Sequence, residues 1–278
     1  MKNILKIMLM MITIFTIAGS AVYAAEIPVS DQDQLITSSD WTEISNLQDE
    51  MKKEEPDATI DYDKALKVYV DCNLIKLQTA DTKKLTSALE SANYVWVIPF
   101  KMEKTYGMFT VAKGLPLREE AKSVLTKAEQ EEVKNHAGKW MITETAEHTV
   151  EPYYDILLEK REALSDCTRV VLVGSQPGMR QPVALGMDDE TARIWISLGY
   201  QYPVMKKIPE TQNVESGVYS FDSVAEISDT YIEDSEVSTG AGVQSRSSMK
   251  YVAGIGIVLI GSILILSVLK KKKIKSED

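Results

Sequence analysis

The chain reads as an α+β protein: a mainly antiparallel sheet with helices on one face, preceded by a signal peptide and followed by an acidic stalk and one transmembrane helix. Three observations predict it. Short strand-like runs alternate with helical patterns between residues 57 and 208. Long uncharged runs stand beside lysines at both ends, and a lysine-free acidic stretch precedes the second of them.

The leader carries Lys2 and Lys6, an uncharged run from Ile7 to Ser20, and small residues closing at Ala24. This is the three-part pattern of a secretory signal, and it places cleavage after Ala24, making 1–24 the signal peptide. An uncleaved anchor is the alternative, because the run from Ile7 to Ala25 is just long enough to span a bilayer. Residues 25–56 form an acidic segment with one amphipathic helix. Trp41, Ile44, Leu47 and Met51 recur at helical spacing, Ser39 or Asp40 is placed to cap, and Glu43 completes the box.

The extracytoplasmic α+β domain is predicted at 57–208, enough residues for one ordinary core. Leu66, Val68, Val70 and Cys72 alternate with Lys67, Tyr69 and Asp71, as in a half-buried strand. Asp81 caps a helix bearing Leu85, Ala88 and Leu89. YVWVIPF (94–100) is apolar on both faces, and a turn near Glu103 to Gly107 pairs it with MFTVA (108–112). Thr126 and Glu129 form a capping box for a helix that stops at Gly138. Trp140 to Glu144 reads as strand, and Val150, Tyr154, Leu157 and Leu164 as one helical face. RVVLVG (169–174), PVALGM (182–187) and ARIWISL (192–198) close the domain, with turns at Gln176 to Gly178 and Asp188 to Glu190. The two β-α-β-β runs in this order, the first beginning at Leu66 and the second at Trp140, have the form of a diverged duplication.

From Glu210 to Glu236 there are eight acids and no lysine or arginine, so 209–250 is predicted to be a disordered stalk in which Tyr219, Phe221 and Tyr231 are too scattered to build a core. Residues 251–269 follow as the transmembrane helix. Its uncharged part, Val252 to Leu269, rises about 27 Å, close to the hydrocarbon thickness of a bilayer. Lys270, Lys271, Lys272, Lys273 and Lys275 make 270–278 a basic cytoplasmic tail and place the domain outside. This ending resembles that of the surface proteins that sortases link to cell walls, which also finish in a hydrophobic segment and a basic tail. The LPxTG-type pentapeptide of those proteins is missing from EVSTGAGVQSRSSMK (236–250). A retained anchor on a bacterial envelope protein is therefore what the resemblance implies.

Function is bounded more than named. Without its two ends the chain carries 24 basic and 39 acidic residues, a charge of −15 that repels phosphate backbones and leaves nucleic acid an unsuitable partner. An envelope protein, a peptide or a glycan fits better. Cys72 and Cys167 offer one bridge, closing a loop of about 95 residues, worth about 4–5 kcal/mol by chain entropy; two buried free thiols are the alternative. His136, His148 and Glu151 lack the spacing of a zinc site, and His136 suits the last turn of its helix. Asp188, Asp189 and Glu190 read as a solvated hairpin tip rather than a calcium loop. Tyr153 with Tyr154 and Tyr200 with Tyr202 suit a groove or a sheet margin. No catalytic, cofactor or metal residue is assigned, and no cofactor is expected. The expectation is a single-pass surface protein with a non-enzymatic binding, sensing or envelope-organising module. The alternative is an envelope hydrolase using carboxylates or a small metal site.

Overall fold

The computed structural model describes residues 27–148, 151–174, 176, 179, 182–198, 205–208 and 213–227. Its strands are β1 (Thr59–Ile60), β2 (Leu66–Tyr69), β3 (Tyr94–Lys101), β4 (Tyr106–Lys113), β5 (Trp140–His148), β6 (Arg169–Val173), β7 (Val183–Met187), β8 (Ala192–Ser197), β9 (Asn213–Glu215) and β10 (Val218–Ser220). They form one sheet in the order β5-β4-β3-β2-β6-β7-β8-β10-β9, with β1 pairing β3. Every pairing between these strands is antiparallel except one: β2 and β6 run parallel at the centre, through Val68 opposite Leu172 and Tyr69 opposite Val173.

The helices are α1 (Trp41–Ile44), α2 (Gln48–Glu54), α3 (Thr82–Glu90), α4 (Glu119–Lys122), α5 (Lys127–His136), α6 (Tyr153–Glu159) and α7 (221–227). Local chemistry accounts for the starts of two of them. The Asp81 carboxylate accepts from the amides of Lys83 and Lys84 at the head of α3, and Thr126 with Glu129 completes both halves of a capping box on α5. Just beyond α5 stands Gly138 at φ +75°, a left-handed conformation that suits glycine best.

Side chains directly opposite in a sheet share a face. Leu66 and Val68 lie with Val170 and Leu172 on what we call the back face, where Leu157 of α6 joins them. Tyr69, Val171 and Val173 lie on the front face beneath Leu85 and Leu89 of α3. Trp96 is opposite Lys67, so Trp96, Ile98, Phe100, Phe109 and Val111 also face front, under Ile44 and Met51 of α1 and α2. The expectation of helices on one face is thus corrected: α6 covers the back while α1, α2 and α3 cover the front. The cause is the pattern of the inner strands, since β6 and β7 bury residues on both faces and each face needs a cover.

The domain boundaries move at both ends. Residues 27–54 belong to the core, with Ile27, Leu35, Ile44 and Met51 buried. The predicted amphipathic helix is present as α1 and α2 joined through one 3-10 turn at Ser45–Leu47. The stalk expected from residue 209 is corrected for 213–227. β10 pairs β8 through Tyr219 opposite Trp195, and Val218, Tyr219, Phe221 and Val224 are buried. The acidic charge of this segment misled because its acids point out while its apolar residues point in. The two β-α-β-β runs are not equivalent in space: their first strands, β2 and β5, occupy the centre and an edge.

No helix among the described residues is long and apolar enough to cross a membrane. The expected signal peptide, the transmembrane run and Lys270, Lys271, Lys272, Lys273 and Lys275 lie outside the described residues.

Candidate functional site

The most developed polar constellation sits where the parallel strands begin. Pairing between β2 and β6 covers only their last residues, and the chain around 27–35 occupies the space before them. The Val170 amide donates to the Pro28 carbonyl at 2.7 Å, the Leu35 amide to the Ala65 carbonyl at 3.2 Å, and Gln34 bridges Leu66. Ile27 packs in the back-face cluster and Leu35 in the front-face cluster. The segment therefore passes from one side of the sheet to the other through the seam.

Asp33 is the polar anchor of that passage. Its side chain is 2% exposed and stands 3.0 Å from Arg169 Nη2 and 3.8 Å from Lys67 Nζ. The Tyr69 hydroxyl donates to it at 2.8 Å and the Ser30 hydroxyl at 2.7 Å. Seven residues on, Asp40 accepts from the Tyr94 hydroxyl at 2.8 Å and from Trp96 Nε1 at 3.0 Å, with Lys113 Nζ at 3.9 Å. Between the two carboxylates the Lys67 ammonium lies 4.5 Å from the Tyr94 ring centre, 5.2 Å from that of Trp96 and 5.9 Å from that of Tyr69. Rings present their negative faces to such a cation.

Burial pushes the Lys67 pKa down, and the nearby Asp33 and Asp40 carboxylates pull it part of the way back. Burial and then Asp33 hold the Tyr69 phenol above its usual range; burial and then the bond to Asp40 do so for Tyr94. Chemically the arrangement clamps: Lys67 and Arg169 of the sheet hold the Asp33 carboxylate of the N-terminal segment in a mostly dry place, and Asp40 of the same segment supplies the second negative charge near Lys67.

At the other end of the seam Gln176 is buried, its amide donating to the Cys72 and Gly174 carbonyls while its oxygen accepts from the Leu74 amide. This ties together the loops that leave β2 and β6. Cys72 packs against the front-face cluster and Cys167 lies in the back-face cluster; both are free thiols. The bridge weighed for them is not formed, because the sheet separates them. Burial pushes Cys72 up to about 12 and Cys167 up to about 11.

The other residues singled out by the sequence stay apart. His136 ends α5 and His148 ends β5, so eight strand residues, roughly 27 Å of chain, lie between them. No group of three or more His, Cys, Asp or Glu side chains that could hold a metal occurs among the described residues. Asp188 accepts from the Glu190 and Thr191 amides and pairs with Arg193, while Asp189 accepts from the Thr168 hydroxyl. The two backbone bonds and Arg193 hold Asp188 down at about 2. Tyr153, the first residue of α6, is buried and Tyr154 half-buried; Tyr200 and Tyr202 lie outside the described residues.

Sequence reasoning missed Asp33, Lys67, Tyr69, Tyr94, Trp96 and Arg169 as a set. Alternation alone puts Lys67 and Tyr69 on the solvent side of a half-buried strand. The available signal was that a cation and an aromatic alternate there in a chain rich enough in apolar strands to need covering on both faces.

A pH dependence follows from these groups. Cys72, Cys167, Tyr69, Tyr94 and Tyr153 all have raised pKa values, the ordinary ones being 9.0 for the thiols and 10.0 for the phenols. Above pH 9 the unfolded chain releases protons that the fold retains. The stability these groups contribute is complete below pH 9 and is lost as pH climbs through 9–12. Lys67 acts in the opposite sense: its lowered value makes its charge a cost at neutral pH, and that cost fades as pH nears 10.5. With the raised thiols and phenols outnumbering Lys67, the urea midpoint is expected to fall steadily above pH 9. A midpoint that stayed level to pH 11 would contradict this assignment of buried thiols and phenols.

No family model, curated protein or solved structure matches the chain.

Proposed function

We propose that the chain is a single-pass, membrane-anchored extracytoplasmic protein whose α+β domain is a non-enzymatic module for binding, sensing or organising the cell envelope. The observation that carries the reading is the uncharged run Val252 to Leu269, closed at once by Lys270, Lys271, Lys272, Lys273 and Lys275. The charged leader at Lys2 and Lys6 agrees with that orientation. Further support comes from the domain: its principal buried charge cluster is engaged in seating its own N-terminal segment. With 213–227 in the fold, the spacer to the bilayer shrinks to 228–250, whose reach as a coil is roughly 26 Å. Its partner is then a protein, peptide or glycan within the envelope, close to the outer face of the membrane, and the negative surface favours basic or uncharged ligands.

Protease added to intact cells is the direct test. Loss of the domain, with a short C-terminal fragment kept in the membrane fraction, is the expected result. Protection until lysis would reverse the orientation and remove the proposal. Incubating the purified full chain with peptide and glycan panels separates binder from hydrolase: retention of intact ligand supports the module, and turnover overturns its non-enzymatic character.

A further inference from the structure

We propose that the seam between β2 and β6 is a binding slot for a segment with the chemistry and the 3-10 turns of residues 27–35, and that a second copy of the chain supplies this segment in exchange. The inference is independent of the membrane topology above.

The slot offers three kinds of recognition. The Ala65 carbonyl and the Val170 amide meet the backbone of the segment. Arg169, Lys67 and Tyr69 converge on one carboxylate. Apolar clusters on opposite faces receive Ile27 and Leu35. The occupant is thus an apolar residue, an acid six positions later and a second apolar residue two beyond it.

All of these partners lie in the body of the sheet, more than thirty positions along from Asp33 or farther. Residues 27–54 contribute no strand to the main ladders and rejoin the sheet through the turn at Glu55 to Ala58, which contains Pro56. An exchanged arm makes the same contacts as a resident one, so the exchange costs only association entropy and the opening of that turn. Reciprocal exchange produces a closed two-fold dimer with each slot filled. An empty slot is disfavoured because it would leave Lys67 and Arg169 together without their carboxylate.

The test uses the full chain in detergent and a fluorescent synthetic peptide of residues 27–54. Asp33→Asn in the full chain weakens the resident arm, so this acceptor is expected to take up the peptide at least about tenfold more than the wild type does. A peptide carrying Asp33→Asn is expected to bind about tenfold less well to the same acceptor. Should the Asp33→Asn chain lack a folded near-ultraviolet spectrum, Ser30→Ala, which removes only one hydroxyl donor to Asp33, serves as the acceptor. No uptake by either acceptor, or uptake indifferent to Asp33 of the peptide, overturns the slot. In the second arm, wild-type chains with light and heavy nitrogen are mixed, passed through mild urea and returned to buffer. Mixed-isotope dimers in native mass spectra support exchange between copies, and monomers alone overturn it.

Discussion

Asp33→Ala is expected to lower the unfolding free energy by about 3–5 kcal/mol, the usual cost of removing one member of a buried ion pair. The loss has little to do with attraction surrendered and much to do with what remains. Arg169 and Lys67 would face each other without a counterion, and Arg169 already opposes the charge on Lys67. The Tyr69 hydroxyl would lose its acceptor as well. Against a typical total of about 5–15 kcal/mol, this is a large share of the stability. Urea unfolding followed by tryptophan fluorescence reads it cleanly, since all four tryptophans (Trp41, Trp96, Trp140 and Trp195) lie in the folded domain. Adding Arg169→Met to Asp33→Ala should recover part of the loss, because one uncompensated cation is gone and an apolar side chain of similar reach replaces it. If the double variant is weaker than the sum of the two single ones, the clamp is not the source of the effect.

Tyr219→Ala carries the second large effect, again about 3–5 kcal/mol, the usual range for truncating a fully buried large aromatic. Tyr219 is fully buried on β10, opposite Trp195 of β8, within the cluster that holds Leu85 of α3 and Val171 of β6. The position decides where the domain ends. If 213–227 were spacer, the substitution would leave the urea midpoint unchanged. As part of the sheet, Tyr219 supports β8, and its loss should also raise hydrogen exchange at the Trp195 and Ile196 amides. Tyr219→Phe, which keeps the ring, is expected to lose far less.

Local chemistry made several elements legible. Asp81 and the Thr126–Glu129 pair act within four residues of themselves, so their caps can be read from spacing alone and are found as expected. The strands at 94–101, 106–113, 169–173, 183–187 and 192–197 stand close to their predicted bounds, because runs of β-branched and aromatic residues between turn residues have few other uses. Polarity was misread where it serves a distant partner. Lys67, alternating with apolar neighbours, carries every mark of a solvent-facing residue, and its partners Asp33 and Trp96 lie far off along the chain. The segment around Tyr219 looked too acidic for a core because average charge says nothing about which side of a strand the acids take.

What the sequence by itself determined is the α+β class, the order of the main strands and helices between 66 and 197 and the caps at Asp81 and Thr126, since each depends on composition or on neighbours a few residues apart. The tertiary structure decided the central parallel pair, the cover on both faces, the inclusion of 27–54 and 213–227, and the convergence of Asp33 with Lys67, Tyr69 and Arg169. Those features depend on pairings between residues up to 136 positions apart. A one-dimensional pattern fixes how each strand is coloured, but the choice of neighbour is made by whichever arrangement buries all the apolar faces while leaving no charge alone.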